Sequence, residues 1–155
     1  MQQKASIVPR PHYQRLLESY RGSEQVKVLQ GVRRCGKSTI MRLYRDSLTA
    51  CGVKPENMFY RKFDTLQMPL YPTAERLQQD IVEAWERSDK DALFYVFLDE
   101  VQDVEGWERV VRRLHSQDGI DVYLTGSNAS ILSSDLATLL SGRSIALDVY
   151  QLGFA

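Results

Sequence analysis

Cysteine and net charge are both scarce in this sequence, and each shortage excludes a class of protein. Two cysteines, Cys35 and Cys51, occur among 155 residues, which is too few for the disulfide framework of a small secreted domain. Twenty basic residues balance twenty acidic ones, so the formal net charge is zero and gives no general attraction to nucleic acid or to anionic membranes.

Long apolar runs are missing as well. No run approaches the ~20 residues that a membrane-spanning helix needs, and the first residues lack the apolar core of a signal peptide. The composition, 43% hydrophobic and 26% charged, is that of an ordinary globular domain. We therefore expect one cytoplasmic domain over residues 1–155, with residues 1–24 as a lead and helix and with no membrane partner.

One stretch with two glycines stands out at residues 26–39. Its glycines, Gly31 and Gly36, precede Lys37 and Ser38 at the spacing of the phosphate-binding loop, G-x-x-x-x-G-K-[ST]. Such a loop turns its N–H groups toward phosphates, and the N-terminus of the following helix adds a positive field. Lys37 would reach the β- and γ-phosphates, and Ser38 would bind Mg²⁺. The residues predicted to bind the nucleotide are Gly31, Val32, Arg33, Arg34, Cys35, Gly36, Lys37, Ser38 and Thr39.

The alternative interpretation of this stretch is a glycine turn that only caps a helix. The context favours the phosphate loop, because a strand-like Val-Lys-Val-Leu precedes it and an amphipathic pattern follows it, formed by Ile40, Met41, Tyr44 and Leu48.

Strand and helix patterns alternate along the rest of the chain. Strands are predicted at 25–30, 58–63, 93–98, 120–125 and 144–149, and helices at 10–20, 37–50, about 73–85, about 107–114 and about 132–140. Thr73 is a predicted helix cap and Gly52 a predicted helix end. This order is typical of an α/β fold with a parallel sheet and helices on both faces. The last strand alternates apolar and polar residues, which places it at the sheet edge.

Two acidic residues follow the apolar run 93–98, which is typical of a strand buried on both faces. Asp99 is predicted to hold Mg²⁺, and Glu100 to orient and deprotonate a water that attacks the γ-phosphate. Hydrolases of the additional-strand, catalytic-glutamate branch of phosphate-loop proteins have this arrangement. The alternative is that both carboxylates merely end the strand in solvent.

Further site candidates lie after the other predicted strands. At the end of the fourth strand, Asn128 is the first candidate to contact the γ-phosphate or the attacking water and Ser127 the second, although this stretch could instead be a turn that caps a helix. Asp64 would touch the metal's water shell or cap a turn. Arg143 is a candidate arginine finger that could reach a neighbouring subunit, with Arg33 and Arg34 as alternatives.

The helix at 10–20 has two interpretations. It either packs on the sheet edge, which its apolar spacing favours, or it brings Arg10, His12 or Tyr13 to the adenine pocket.

Four stretches occur in order along the chain: Gly-Val-Arg-Arg-Cys-Gly-Lys-Ser, Phe-Leu-Asp-Glu-Val-Gln followed by Trp107, Leu-Thr-Gly-Ser-Asn-Ala, and Leu-Ser-Gly-Arg. Together they resemble the prokaryotic AAA-type P-loop ATPases, from Arg10 onward. The resemblance implies a three-layer P-loop NTPase fold with strand order 5-1-4-3-2 and ATP rather than GTP as the nucleotide. It also implies a C-terminal region of uncharacterised function, which we expect to be absent because residues 151–155 depart from the expected entry into it.

The resulting hypothesis is an ATPase that uses ATP and Mg²⁺, with nucleotide as its ligand and a second copy of the chain or an unidentified protein as its partner. One alternative is a nucleotide-gated interaction module with little turnover. A small-molecule kinase is a weaker one, since the sequence has no lid-like insertion. Direct DNA binding through Arg109, Arg112 and Arg113 is weaker still, because these residues belong to a helix of mixed charge.

Overall fold

Five parallel strands form the sheet of this protein. The computed structural model describes residues 11–31, 36–66, 73–127 and 143–149. The strands are β1 (Val26–Gln30), β2 (Met58–Lys62), β3 (Phe94–Asp99), β4 (Ile120–Gly126) and β5 (Ser144–Asp148). They lie in the order β2-β3-β4-β1-β5, which confirms the expected order when it is counted from the other edge. All four pairings are parallel, so the segments that follow the strands begin at one edge of the sheet.

The first and last residues of the four described helices lie within one or two residues of the predicted bounds. They are α1 (Pro11–Ser19), α2 (Lys37–Ala50), α3 (Ala74–Glu86) and α4 (Trp107–His115), with 3₁₀ turns at Pro55–Asn57 and Val101–Asp103. Thr73 caps α3 by accepting a hydrogen bond from the Arg76 N–H at 3.2 Å. The predicted helix at 132–140 lies outside the described residues. Within the described ranges, no helix is long and apolar enough to cross a bilayer.

The sheet is covered on both faces, because neighbouring strand residues point to opposite sides. On one face, alternate residues of β3 and β4 pack with the apolar sides of α3 and α4; this cluster includes Val96, Leu98, Ile81, Val111 and Val122. On the other face, the intervening residues pack with α1 and α2; that cluster includes Phe97, Tyr123, Leu17, Ile40 and Tyr44. The result is the three-layer architecture expected for the fold.

Helix α1 packs on the edge formed by β5 and α2. The Tyr13 hydroxyl donates to the Asp148 carbonyl at 3.0 Å, and the Gln14 amide donates to the Ile40 carbonyl at 3.1 Å. These contacts support the sheet-edge interpretation of α1. His12 is exposed, and Arg10 lies outside the described residues.

A buried ion pair joins two central strands near their amino ends. Lys27 of β1 and Asp121 of β4 contact each other with side chains that are 0% and 1% exposed. The second Asp121 oxygen accepts from the Gly22 N–H at 2.9 Å and from the Tyr123 hydroxyl at 2.8 Å. Burial lowers the pKa of Lys27, and the Asp121 carboxylate opposes that shift. The lysine and the carboxylate therefore face each other in a place that water does not reach.

Loss of this pair should be costly. Lys27→Met is expected to lower the free energy of unfolding by about 3–5 kcal/mol, because it leaves the Asp121 charge buried without a cation. Urea denaturation measures the change. The matched control is Lys54→Met, since the Lys54–Asp89 pair has a lysine that is 61% exposed and should be worth about 1 kcal/mol or less. Equal effects of the two substitutions would contradict a special role for the buried pair.

Candidate functional site

The carboxyl edge of the sheet is where the predicted site residues meet. Helix α2 begins directly after Gly36, whose φ of 99° and ψ of 14° are left-handed, a conformation that glycine adopts without a Cβ penalty. The first turn of α2 contains Lys37, Ser38 and Thr39. The N–H groups of a first turn have no partner within the helix, and with the helix dipole they favour an anion at this point.

The Lys37 side chain curls back into the site and is 3% exposed. Its ammonium donates to the Gly31 carbonyl at 2.9 Å and to the Ser127 hydroxyl at 3.3 Å. A Glu100 carboxylate oxygen lies 3.7 Å from the same ammonium. Lys37 thus links the loop after β1 to the ends of β3 and β4.

Asp99 lies at the centre of a second set of contacts and is fully buried. Its Oδ1 accepts from the Ser38 hydroxyl at 3.0 Å and from the Thr125 hydroxyl at 2.6 Å. Its Oδ2 accepts from the Tyr60 hydroxyl at 3.0 Å. Burial, reinforced by the Asp99 charge, raises the pKa of Tyr60, so the phenol remains a donor. The arrangement fixes the Asp99 carboxylate from three sides.

The pair of Ser38 and Asp99 suits a magnesium ion. A hydroxyl and a carboxylate are the oxygen ligands that Mg²⁺ prefers, and neighbouring ligands of an octahedral ion with Mg–O distances of about 2.1 Å lie about 3 Å apart. The Ser38 Oγ to Asp99 Oδ1 distance is 3.0 Å. Among the described residues, no cluster of three or more His, Cys, Asp or Glu side chains could hold a metal alone. An ion held by these two side chains would take waters or phosphate oxygens as its other ligands.

Glu100 is held in an unusual backbone conformation. Its φ of 59° is positive, which for a residue with a side chain costs about 1–3 kcal/mol and is common at functional sites. The Glu100 N–H donates to the Thr125 hydroxyl at 2.9 Å. The carboxylate accepts from the Ser127 hydroxyl at 2.8 and 3.0 Å and from the Gln102 amide at 2.8 Å. The side chain is thereby aimed at Lys37 rather than at solvent.

Thr125, Tyr60 and Gln102 are site residues that the sequence interpretation missed. The Thr125 hydroxyl donates to Asp99 and accepts from the Glu100 backbone, so one oxygen positions both acidic residues. A signal for Thr125 was present, because it belongs to the Leu-Thr-Gly-Ser stretch at a strand end. Tyr60 has no local signal, since it reaches Asp99 from a strand 39 residues away in sequence.

Most of the predicted site residues that the structure describes come together at this edge. Gly31, Lys37, Glu100 and Ser127 form one connected set. Ser38 contacts Asp99, and the Thr125 hydroxyl joins Asp99 to Glu100. The remaining loop residues Val32, Arg33, Arg34 and Cys35, together with Asn128, lie outside the described residues.

Arg143 lies at the amino ends of the strands, opposite the carboxyl ends where the site lies. Its carbonyl accepts from the Val26 N–H at 3.0 Å, at the first residue of β1, whereas the phosphate loop follows the last residue. A five-residue strand separates the two by about 16 Å. The Arg143 side chain is 59% exposed and 3.8 Å from Glu24. In this position Arg143 does not join the site of its own chain.

A cavity of about 330 Å³ opens beside the first turn of α2. It is lined by Gly36, Lys37, Ser38, Thr39, Lys62, Asp64 and Glu100. Asp64, predicted to touch a metal's water shell or to cap a turn, therefore faces the cavity, with its carboxylate 3.8 Å from the Lys62 ammonium. A larger concavity of about 570 Å³ lies at the amino edge near Arg143, away from the helix N-terminus and the paired carboxylates.

Comparison with known families assigns most of the chain. A family model described as an AAA domain matches residues 23–155. An uncharacterized protein of Haemophilus influenzae is 38% identical over 149 residues, which are 96% of this chain and 37% of that protein. An uncharacterized protein of Methanocaldococcus jannaschii is 29% identical over 135 residues, which are 84% of this chain and 27% of that protein. The chain thus spans about a third of the length of these curated relatives.

Solved structures share the fold at low sequence identity. The Walker-type ATPase of Pyrococcus abyssi matches 94% of this chain and 55% of its own, with a TM-score of 0.62 and 16% identity. A chain of the Drosophila ORC structure bound to DNA matches 94% of this chain and 92% of its own, with a TM-score of 0.61 and 10% identity. These similarities agree with the three-layer architecture and with the strand order of the sheet.

Proposed function

We propose that this chain, which belongs to the family of AAA domains, binds ATP with Mg²⁺ and hydrolyses it. The observation that carries the proposal is the convergence of Lys37, Ser38, Asp99, Glu100 and Ser127 in one network of contacts, which the Thr125 hydroxyl completes. These residue types, in this arrangement, are what phosphoryl transfer to water requires.

Each side chain has a role in this proposal. Lys37 and the N–H groups at the start of α2 bind the β- and γ-phosphates. Ser38 and Asp99 hold Mg²⁺, which when bound neutralises charge that develops on the phosphate oxygens. Glu100 orients the attacking water and accepts its proton.

Ser127 is suited to sense the γ-phosphate. It now donates to Glu100 and accepts from Lys37, and a terminal phosphate that draws Lys37 away would release it. Asn128, the first candidate from the sequence to contact the γ-phosphate or the attacking water, remains a candidate for the same role. ATP rather than GTP rests on the family, and a cytoplasmic location rests on the low cysteine content.

Arg143 fits a role between subunits. Because it lies at the amino edge of the sheet and is exposed, it could complete the phosphate site of a second copy but not its own. This proposal makes hydrolysis depend on self-association.

The direct test measures binding of a fluorescent ATP analogue and release of phosphate by the 155-residue chain, with Mg²⁺ present, over a range of protein concentrations. Saturable binding with turnover supports the ATPase. Binding without single-turnover hydrolysis favours a nucleotide-gated interaction module, and phosphate transfer to an added acceptor favours a kinase. A specific activity that rises with protein concentration supports the role of Arg143 between subunits, and a constant one argues against it.

A further inference from the structure

Lys62 brings a second lysine to the phosphate site. It is the last residue of β2, and its backbone lies in register with Asp99 on β3. The Lys62 ammonium donates to the Ser38 hydroxyl oxygen at 3.4 Å and lies 3.8 Å from an Asp64 carboxylate oxygen. It also lines the cavity beside α2.

We propose that the Lys62 ammonium is a built-in cation that occupies the metal side of this site when no divalent ion is bound, and that it contacts the phosphates of a nucleotide bound without Mg²⁺. The inference rests on the proposed function, since it concerns the same phosphate site. It adds a second phosphate-binding lysine to Lys37 and predicts how nucleotide affinity depends on Mg²⁺.

The Ser38 hydroxyl shows why Lys62 and a metal compete. Its proton is donated to Asp99, and its oxygen accepts from Lys62. A metal ligated by Ser38 would bind to that same oxygen. Two cations that share one oxygen repel each other, so the Lys62 ammonium would leave Ser38 when Mg²⁺ is bound there. Lys62 thus holds the Ser38 oxygen only while no divalent ion is bound to it.

Nothing described around Lys62 would prevent this movement. Its ion pair with Asp64 is 3.8 Å long, with side chains that are 35% and 20% exposed, and pairs of this kind contribute about 1 kcal/mol or less. A lysine ammonium on a flexible four-carbon stem can move to a phosphate oxygen, for which it acts as a point charge. The neighbouring Arg61 is committed elsewhere, since it pairs with Asp80 of α3 at 3.1 Å.

The test compares affinity for a fluorescent ATP analogue in EDTA and in saturating Mg²⁺, for the wild-type chain, Lys62→Met and Lys62→Arg. Lys62→Met loses one charge-assisted contact, and its affinity for the nucleotide in EDTA should therefore be about 10-fold or more weaker than that of the wild type. Binding with Mg²⁺ should change about threefold or less, so the affinity in Mg²⁺ divided by the affinity in EDTA should rise about threefold or more. Lys62→Arg keeps the charge and should keep the wild-type ratio. Lys54→Met, an exposed lysine outside the site, is the matched control.

The outcomes separate this inference from the function on which it rests. A wild-type ratio in Lys62→Met, with normal binding in Mg²⁺, overturns the inference and leaves the proposed function intact. A wild-type chain that binds no nucleotide in either condition overturns both. Because Lys62 is partly exposed, Lys62→Met should fold, and Lys62→Gln provides a polar replacement on which the same ratio decides the question.

Discussion

Lys37→Ala is expected to weaken ATP binding by about 100-fold or more. The lysine is the buried cation of the site, and its charge-assisted hydrogen bonds to two phosphates should each be worth about 1.5–3 kcal/mol. Part of the effect comes from Glu100, which lies 3.7 Å from the ammonium and would face the phosphates without it. Titration of the chain with a fluorescent ATP analogue in Mg²⁺ measures the loss.

The control for this experiment must separate a lost contact from a lost fold. Lys54→Ala removes an exposed lysine and should bind like the wild type. Circular dichroism and urea denaturation should show that Lys37→Ala remains folded, since the contacts of the Lys37 ammonium are with polar groups of the site and alanine is the best helix former for the first turn of α2. Retention of wild-type affinity by a folded Lys37→Ala chain would refute the role assigned to this lysine.

The fold was predictable because its determinants are local patterns with a restricted topology. Each strand and helix has its own period in the sequence, and strand–helix alternation leaves few arrangements other than a parallel sheet. The candidate site follows from the same logic. Residues at or just after the ends of parallel strands meet at the carboxyl edge, which is why Lys37, Asp99, Glu100 and Ser127 could be grouped from the sequence.

The buried ion pair was not predictable from local pattern. In Val-Lys-Val-Leu the lysine is flanked by apolar residues, which by itself suggests a strand with one wet face. Lys27 is instead buried because β1 lies between β4 and β5 and is covered on both faces. Its partner Asp121 lies 94 residues away in sequence, and only the register of two strands brings the charges together.

The same reason explains why the sequence did not predict that β2 contributes side chains to the site. Tyr60 and Lys62 reach the site because Lys62 is in register with Asp99, and a strand register between non-adjacent segments leaves no trace in either segment alone. Arg143 shows the opposite case. Its distance from its own site follows from topology, since a residue that precedes a parallel strand lies at the amino edge while the phosphate loop follows a carboxyl end.

Glu100→Gln should separate binding from chemistry. The substitution removes the proton acceptor, and general-base catalysis of this kind typically contributes about 10²–10⁴-fold to the rate. We therefore expect ATP affinity within about threefold of wild type, because neutralising a carboxylate near phosphates does not remove a phosphate contact. Single-turnover hydrolysis in Mg²⁺, measured alongside nucleotide binding, gives both quantities from one preparation.

Hydrogen-bond partners for this amide lie close to it in the site. Ser127 can still donate to the remaining carbonyl oxygen, and the Gln102 side-chain oxygen, which is buried and has no hydrogen-bond partner among the described residues, could accept from the new amide. Glu105→Gln, the same substitution at an exposed position five residues further on, is the matched control and should leave the rate unchanged. An unchanged rate in Glu100→Gln would exclude Glu100 as the base and leave Asp64, the other carboxylate that lines the cavity, as the next side chain to test.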